Sequence, residues 1–303
     1  MAENMNMDMN NNMNYNLNNN MNGQYAQATQ KKSSGGGLAW LVFIVVGIIL
    51  LVIGVILYNG HDKDKYFKIK DIHETFSSES ISKLDIDIPY GDITITKSSD
   101  KMIHIDAENV PDEFEAKTEG TTFRTLCKKK KIAFITLPRF SFWDDAENAV
   151  IKLALPEKEY NSFILDLGAG ETTASDIKCG SFKLDCGAGD ITFTNVKCNT
   201  GDIDCGAGQV TITNMDCKEK LDIDGEAGEI NILSSTLGGL DLDQGVGQFE
   251  FSGTINGNID ADGGIGEMIF RLTNPETDFS KHGGKYKMDI DHGIGSVDVY
   301  YNE

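Results

Sequence analysis

A glycine recurs through the C-terminal half of the chain at Gly170, Gly189, Gly208, Gly228, Gly247, Gly266 and Gly295, with spacings of 19, 19, 20, 19, 19 and 29 residues. Four residues before these stand Asp166, Asp185, Asp204, Asp224, Asp243, Asp262 and Asp291. The residue before each aspartate is aliphatic: Leu165, Leu184, Ile203, Ile223, Leu242, Ala261 and Ile290. Two and four residues after the glycine come mostly apolar positions, from Thr172 and Ala174 through Ile191 and Phe193 to Val297 and Val299. A single unit of 19–20 residues cannot bury its own apolar face, but stacked units align identical columns into one core. Each unit therefore reads as strand, Gly-x-Gly turn, strand and second turn. The fold class this predicts is all-β, a parallel β-solenoid (β-helix). Its glycines mark corners where the backbone needs φ > 0, which glycine adopts without steric cost. The 29-residue step implies an insertion, placed at Asn274–Lys285 as a loop leaving the stack.

Upstream sequence follows a weaker version of the same plan. Leu84–Ile88 and Asp92–Thr96 alternate apolar and polar residues with the period of a half-buried strand. The segment Asp87-Ile88-Pro89-Tyr90-Gly91-Asp92-Ile93 repeats the aspartate–glycine register. Ile132–Leu137 and Val150–Leu155 read as further strands, and Lys128–Lys131 ahead of them as a solvated turn or a basic binding patch. The solenoid domain is placed at 81–303, with regular rungs from about 160.

The N-terminal region has another character. Residues 1–37 are dominated by Asn and Met and end in Lys31-Lys32-Ser33-Ser34-Gly35-Gly36-Gly37. Such a stretch lacks the branched and aromatic side chains needed to offset ordering entropy, and it reads as a disordered tail. Residues 38–58, LAWLVFIVVGIILLVIGVILY, run for 21 positions without a charge. A helix of that length covers about 30 Å, the thickness of a bilayer core, which predicts one transmembrane helix. A polar juxtamembrane spacer is expected over 59–80. Topology stays open. Lys63, Lys65, Lys68 and Lys70 outnumber Lys31 and Lys32, which favours a cytoplasmic C-terminal side, yet long domains translocate largely regardless of local charge.

The formal charge of −20 at a pI near 4.6 excludes a nucleic-acid binder, because phosphate backbones need a basic footprint. Stacked one per rung, the aspartates would stand about 4.8 Å apart and repel by about 0.9 kcal/mol per pair in water. Calcium would relieve that repulsion, and Asp185, Asp204, Asp224, Asp243 and Asp262 are the candidate ligands. Alternatively, each aspartate accepts backbone N–H bonds in its own turn, as in Asx-turns. The spacing does not match the calcium-binding nonapeptide, whose period is nine.

Five of the six cysteines also obey the repeat: Cys179, Cys198 and Cys217 in one column, Cys186 and Cys205 in another. The columns continue to Leu237 and begin at Leu167, so cysteine there reads as a small buried hydrophobe. The five histidines are dispersed in the sequence, and His292 falls in the Leu167/Cys186 column. The glycine turns lack the third glycine of a dinucleotide loop, and neither a Walker sequence nor a nucleophile elbow occurs. No cofactor and no catalytic residue is expected.

Val150-Ile151-Lys152-Leu153-Ala154-Leu155-Pro156, the lead into Leu165-Asp166-Leu167-Gly168-Ala169-Gly170, the Gly-x-Gly rungs and the single anchor ahead of them together carry a resemblance. Over residues 80–300 the chain resembles the bacterial membrane-anchored β-strand-repeat family of adhesin-like proteins, a domain of unknown function. The resemblance implies a β-solenoid displayed outside a bacterial membrane by a single-pass anchor, with no catalytic residue to carry over. The function expected is a non-enzymatic surface protein that binds envelope polymer or another surface protein, or serves as an envelope scaffold. The alternatives are a cytoplasm-facing scaffold and a β-helix carbohydrate-active enzyme, for which Asp243 or Asp262 would be the residues to test.

Overall fold

A computed structural model describes residues 68–127, 131–132, 135–136, 149–279 and 283–302. The tail expected at 1–37, the transmembrane segment at 38–58 and the first part of the spacer lie outside the described residues. Everything described belongs to one compact unit within Asp62–Glu303.

The strands are β1 (Ile69–Ser77), β2 (Lys83–Tyr90), β3 (Asp92–Lys97), β4 (Met102–Pro111), β5 (Phe114–Glu119), β6 (Thr122–Cys127), β7 (Lys131–Ile132), β8 (Ile135–Thr136), β9 (Val150–Leu155), β10 (Tyr160–Cys198), β11 (Thr200–Cys205), β12 (Gln209–Ile255), β13 (Ile259–Leu272) and β14 (Met288–Tyr300). All but β7 and β8 join one large, mostly parallel sheet in a solenoid-like stack. β10 and β12 run for 39 and 47 residues because the hydrogen-bonded ladder continues through the corners.

The register matches the repeat. Leu184 opposes Ile203 and Ile203 opposes Ile223, while Leu242 opposes Ala261 and Ala261 opposes Ile290. The degenerate first copy also fits: Asp87 opposes Asp166, and Ile93 opposes Thr172. Each rung turns three inward faces. In one copy these are Phe182, Leu184 and Cys186, then Ile191 and Phe193, then Val196 and Cys198, all buried. Alternation alone would not bury both Phe193 and Val196, which are three apart. The left-handed backbone of Asn195 (φ 60°) between them resets the phase. Aromatic rings stack up the core, with Phe182 edge-on to Phe193 at 5.9 Å and Phe249 tilted on Phe270 at 5.5 Å.

The glycine corners are all tight, but only Gly170, Gly247, Gly266 and Gly295 of the seven have positive φ. At Gly189, Gly208 and Gly228 it is the close backbone of the preceding rung, not φ > 0, that requires glycine. Gly247 has φ +145°, and a Cβ there would lie 1.8 Å from the carbonyl oxygen of Gly228 on the preceding rung. Backbone stacks on backbone with no room for a side chain.

At the N-terminal end the stack gains one more rung and then changes sense. β6 runs parallel to β2 and β9 parallel to β3, but β5, β4 and β1 add in antiparallel fashion. β1 therefore occupies part of the segment expected as a spacer over 59–80. Its sequence hides this because Ile72 is its only buried side chain, so the strand is held by pairing to β4 rather than by an apolar face. Of the expected strand over Ile132–Leu137, the two-residue pair β7–β8 falls within the described residues.

The insertion before β14 does not simply leave the stack. The buried Asn274 amide accepts from Ile255 N (2.9 Å) and donates to Ile255 O (3.1 Å), replacing a rung of backbone. A 3₁₀ turn at Glu276–Phe279 follows, and Phe279 packs against Tyr286 and Tyr301. The third inward face is thus closed at this end.

Candidate binding surface

Strand alternation puts the aspartates on the outer face of the first wall of each rung. Two columns result, built from register-opposed pairs. Asp202 faces Asp222, and Asp241 faces Asp260, which faces Asp289. Beside them, Asp204 opposes Asp185 and Asp224, and Asp243 opposes Asp262, which opposes Asp291.

The columns differ in how their charge is answered. In the first, Lys183 pairs with Asp202 at 3.2 Å, Lys220 bridges Asp222 (2.5 Å) and Asp241 (2.6 Å), and Lys287 pairs with Asp289 at 2.7 Å. In the second, two carboxyls stand above their ordinary value. Partial burial pushes the Asp185 carboxyl above its ordinary value, and Asp166 and Asp204 push it further. Asp262 is raised by desolvation first and then by Asp291, Asp260 and Asp243. Among the described residues no backbone N–H hydrogen-bonds the Asp185 or Asp262 carboxylate, so the Asx-turn contact is not made at these two positions.

The calcium ladder proposed for Asp185, Asp204, Asp224, Asp243 and Asp262 has the right stacking but not a coordination shell. Among the described residues no group of three or more His, Cys, Asp or Glu side chains is placed to hold a metal ion. The reason is geometric: one carboxylate per rung at about 4.8 Å spacing supplies a line, whereas calcium takes six to eight oxygens around a point.

Around the glycine corner the surface changes along the stack. The middle residue of the turn is Ala169, Ala188, Ala207 and Ala227 in the early copies, then Val246, Ile265 and Ile294. The last three are register-opposed and 51%, 52% and 69% exposed, an apolar ridge beside the second carboxylate column. Between them opens a cleft of about 460 Å³ lined by Asp243, Asp262, Asp291, Gln244, His292 and the corner glycines. Inside the same corner, Gly225, Gln244, Gly263 and His292 succeed one another in a column. Each larger side chain uses the space its glycine neighbour leaves: a Cβ on Gly225 would meet Gln244 Oε1 at 2.5 Å, and one on Gly263 would meet His292 Nδ1 at 2.4 Å. His292 Nε2 hydrogen-bonds the Gly266 carbonyl at 3.1 Å, which places this histidine in the column read from the repeat.

The cysteine columns stand where the repeat put them. Cys186 opposes Cys205 and Cys198 opposes Cys217, all buried and all free thiols. Burial pushes Cys179 up to about 12. Within the stacked pairs the shared thiol hydrogen bond raises Cys186 and Cys198 and lowers Cys205 and Cys217, while burial opposes ionisation of all four. These are packing groups, not nucleophiles.

Two features escaped sequence reasoning. The second corner is an amide column in which Asn195 Nδ2 donates to Asp176 Oδ1 (2.9 Å) and Asn214 Nδ2 to Asn195 Oδ1 (2.6 Å). Asp176, Asn195, Asn214 and Ser234 all adopt positive φ there, and Gly253 follows with φ +138°. The signal was present as a second 19–20-residue period of Asx-type residues. The other is a set of histidine contacts that the pairing of β1 with β4 makes from stretches far apart in sequence. His73 Nδ1 contacts Asp106 Oδ1 at 2.7 Å; Thr75 Oγ1 contacts His104 Nδ1 at 3.1 Å, and His104 Nε2 contacts Asp100 Oδ1 at 3.0 Å. This hydroxyl–imidazole–carboxylate chain lies on an exposed strand face, with the His104 side chain 36% and Asp100 50% exposed. The water exclusion that gives such a chain catalytic strength is missing there.

The family model described as Toastrack DUF4097 matches residues 81–280, well over half of the chain. The chain belongs to the Toastrack DUF4097 family. This family is a domain of unknown function, and the match spans the rungs, both corners and most of the acidic wall. Among solved structures, this Toastrack chain is similar to a "putative adhesin" from Bacteroides fragilis at 15% identity, covering 77% of this chain and 97% of that one with a TM-score of 0.49. It is also similar to a "putative cell adhesion protein" from Clostridium sporogenes (12% identity, 77% and 100% covered, TM-score 0.32) and a "putative lipid binding protein" from Parabacteroides distasonis (12%, 77% and 94%, 0.32). A search of curated proteins gives no significant match.

Proposed function

We propose that this Toastrack chain is a non-enzymatic binding or scaffold protein of a bacterial membrane. Residues 38–58 anchor it as a single transmembrane pass, and residues 81–303 stand on the extracytoplasmic side. The observation that carries this reading is the outer wall, where rung after rung repeats one acidic pattern instead of converging on one unlike place. Repetition of this kind suits an extended partner that contacts several rungs at once. The uncharged 21-residue stretch supports the anchor, having the length a bilayer core demands. Among the described residues no helix is long and apolar enough to cross a membrane, so the anchor rests on 38–58 alone.

Protease shaving of intact cells tests the placement. Cleavage of the solenoid-side segment without lysis supports the surface reading. Full protection until lysis overturns it in favour of a cytoplasm-facing scaffold.

A further inference from the structure

β14 pairs with β13 along one side, and among the described residues no strand pairs with its other side. Its inward side chains Met288, Ile290, Val297 and Val299 are only partly covered, whereas Ile259, Ala261, Met268 and Phe270 one rung earlier are buried to 1% or less. Asn274 and Phe279 close the third face, so the open part is confined to the first two walls. An edge with free N–H and C=O groups and half-covered apolar side chains is a template for another strand.

Charge selects which strand. The outward residues of β14 include Asp289, Asp291 and Asp298. Within the stack, aspartates of the same wall are met by lysines from the neighbouring rung, as Lys183 meets Asp202 and Lys220 meets Asp241. Lys287 reaches Asp289 from its own strand at 2.7 Å, and a lysine on the next strand position over Asp289 and Asp291 would add the contact from a neighbouring rung. A second copy brings one lysine to this edge, Lys287, which already pairs with its own Asp289, against the three aspartates Asp289, Asp291 and Asp298. In a two-fold antiparallel pairing of two β14 strands, opposing Ile290 to Val299 sets Asp291 against Asp298, and opposing Ile290 to Val297 sets Asp289 against Asp298. Like charges directly opposite destabilise a strand pair, and two-fold symmetry doubles the penalty.

We propose that the outer edge of β14 is a docking edge for an extended peptide strand with alternating apolar and basic residues. Its apolar side chains cover Met288 and Ile290, and its basic ones lie over Asp289 and Asp291. Asp241, Asp243, Asp260 and Asp262 on the rungs behind extend the negative field that draws such a strand in. This rests on reading the chain as a binding protein and adds the chemistry of its partner.

The test is fluorescence anisotropy with the full-length protein and a labelled Val-Lys-Val-Lys-Val-Lys peptide. Its comparators are a peptide with Glu for Lys and a Lys peptide N-methylated at the alternate amides that would pair. The Lys peptide is expected to bind, and both comparators to bind at least about tenfold more weakly. Asp289→Asn with Asp291→Asn should cost about tenfold, and Asp222→Asn with Asp224→Asn in mid-stack much less. Equal binding of the N-methylated peptide, or equal loss from the mid-stack pair, would reduce the effect to a diffuse polyanion and overturn the docking edge. A dimer abolished by the β14 substitutions would overturn it in favour of a second copy. The two peptide comparators decide the matter even if a β14 variant fails to fold. Protease shaving reads the side of the membrane and is unaffected by either outcome, so the two proposals fail separately.

Discussion

Asn214 donates its side-chain amide to Asn195 Oδ1 at 2.6 Å, one rung away, while both backbones sit in the left-handed region at φ 61° and 60°. The two facts belong together. Asparagine tolerates this backbone better than other residues with a Cβ, and its side chain can repeat up the stack, each amide donating to the one before. The second corner of the rung is therefore defined by side-chain chemistry, where the first is defined by the absence of a side chain.

Asn214→Ala should destabilise the protein by about 1–3 kcal/mol, combining left-handed strain with a lost hydrogen bond. Asn214→Gly should cost less, because glycine removes the strain and only the hydrogen bond is lost. Urea denaturation of the three proteins checks the order. A glycine variant less stable than the alanine variant would contradict the corner geometry.

Gly247 and Gly120 separate steric contact from conformational freedom. Both have positive φ, but a Cβ on Gly247 would sit 1.8 Å from backbone, while one on Gly120 meets nothing within 4 Å. Gly247→Ala should cost more than about 3 kcal/mol and disrupt the corner, whereas Gly120→Ala should cost about 1 kcal/mol. Circular dichroism and thermal melts of the two variants give the comparison. Similar losses would mean that close rung contact does not govern the glycine column.

Asp185 and Glu157 should respond to pH in opposite senses. The folded protein holds Asp185 above its ordinary 3.8, so that group favours the fold fully below 3.8, and this contribution is lost as pH rises through the raised value. Asp185→Asn should therefore raise the melting temperature at pH 7 and do little near pH 3. Glu157 is held down to about 2 by its hydrogen bonds to Lys97 and Lys178, so its contribution is present above 4.5 and lost as pH falls towards 2. Glu157→Gln should lower the melting temperature at pH 7, with the difference shrinking below 4.5. Melting curves from pH 3 to 8 test both signs at once.

The five repeat cysteines should be unreactive in the native protein. All are buried free thiols, and Cys179 is pushed up to about 12. A colorimetric thiol reagent should titrate at most Cys127, which is half-buried, before unfolding, and all six cysteines in denaturant. Fewer than six in denaturant would mean that stacked pairs such as Cys186 and Cys205 have oxidised. Rapid reaction of several in the folded state would mean that the rungs open.

The parallel stack, its register, the inward aliphatic columns and the corner role of glycine were legible because every copy must present the same chemistry at the same place. Repetition turns a weak local preference into a strong collective one. β1 was not legible, because an edge strand held by backbone pairing needs no apolar face, and only Ile72 is buried in it. The contact of His104 with Thr75 and Asp100 was not legible either, since antiparallel pairing of β1 with β4 creates it from separate stretches.

The sequence by itself determined the period of the stack, the face on which each aspartate stands and the columns that fill the core, all of which follow from alternation and copy number. Only the tertiary structure decided which carboxylates are answered by lysine, where the apolar ridge of Val246, Ile265 and Ile294 meets the acidic cleft, and how the ends differ. Antiparallel strands finish one end, while the other leaves two walls of β14 half-covered. Those features depend on neighbours brought together across rungs. Inward and outward are encoded along one strand, but the partner of an outward charge is set by the strand laid beside it.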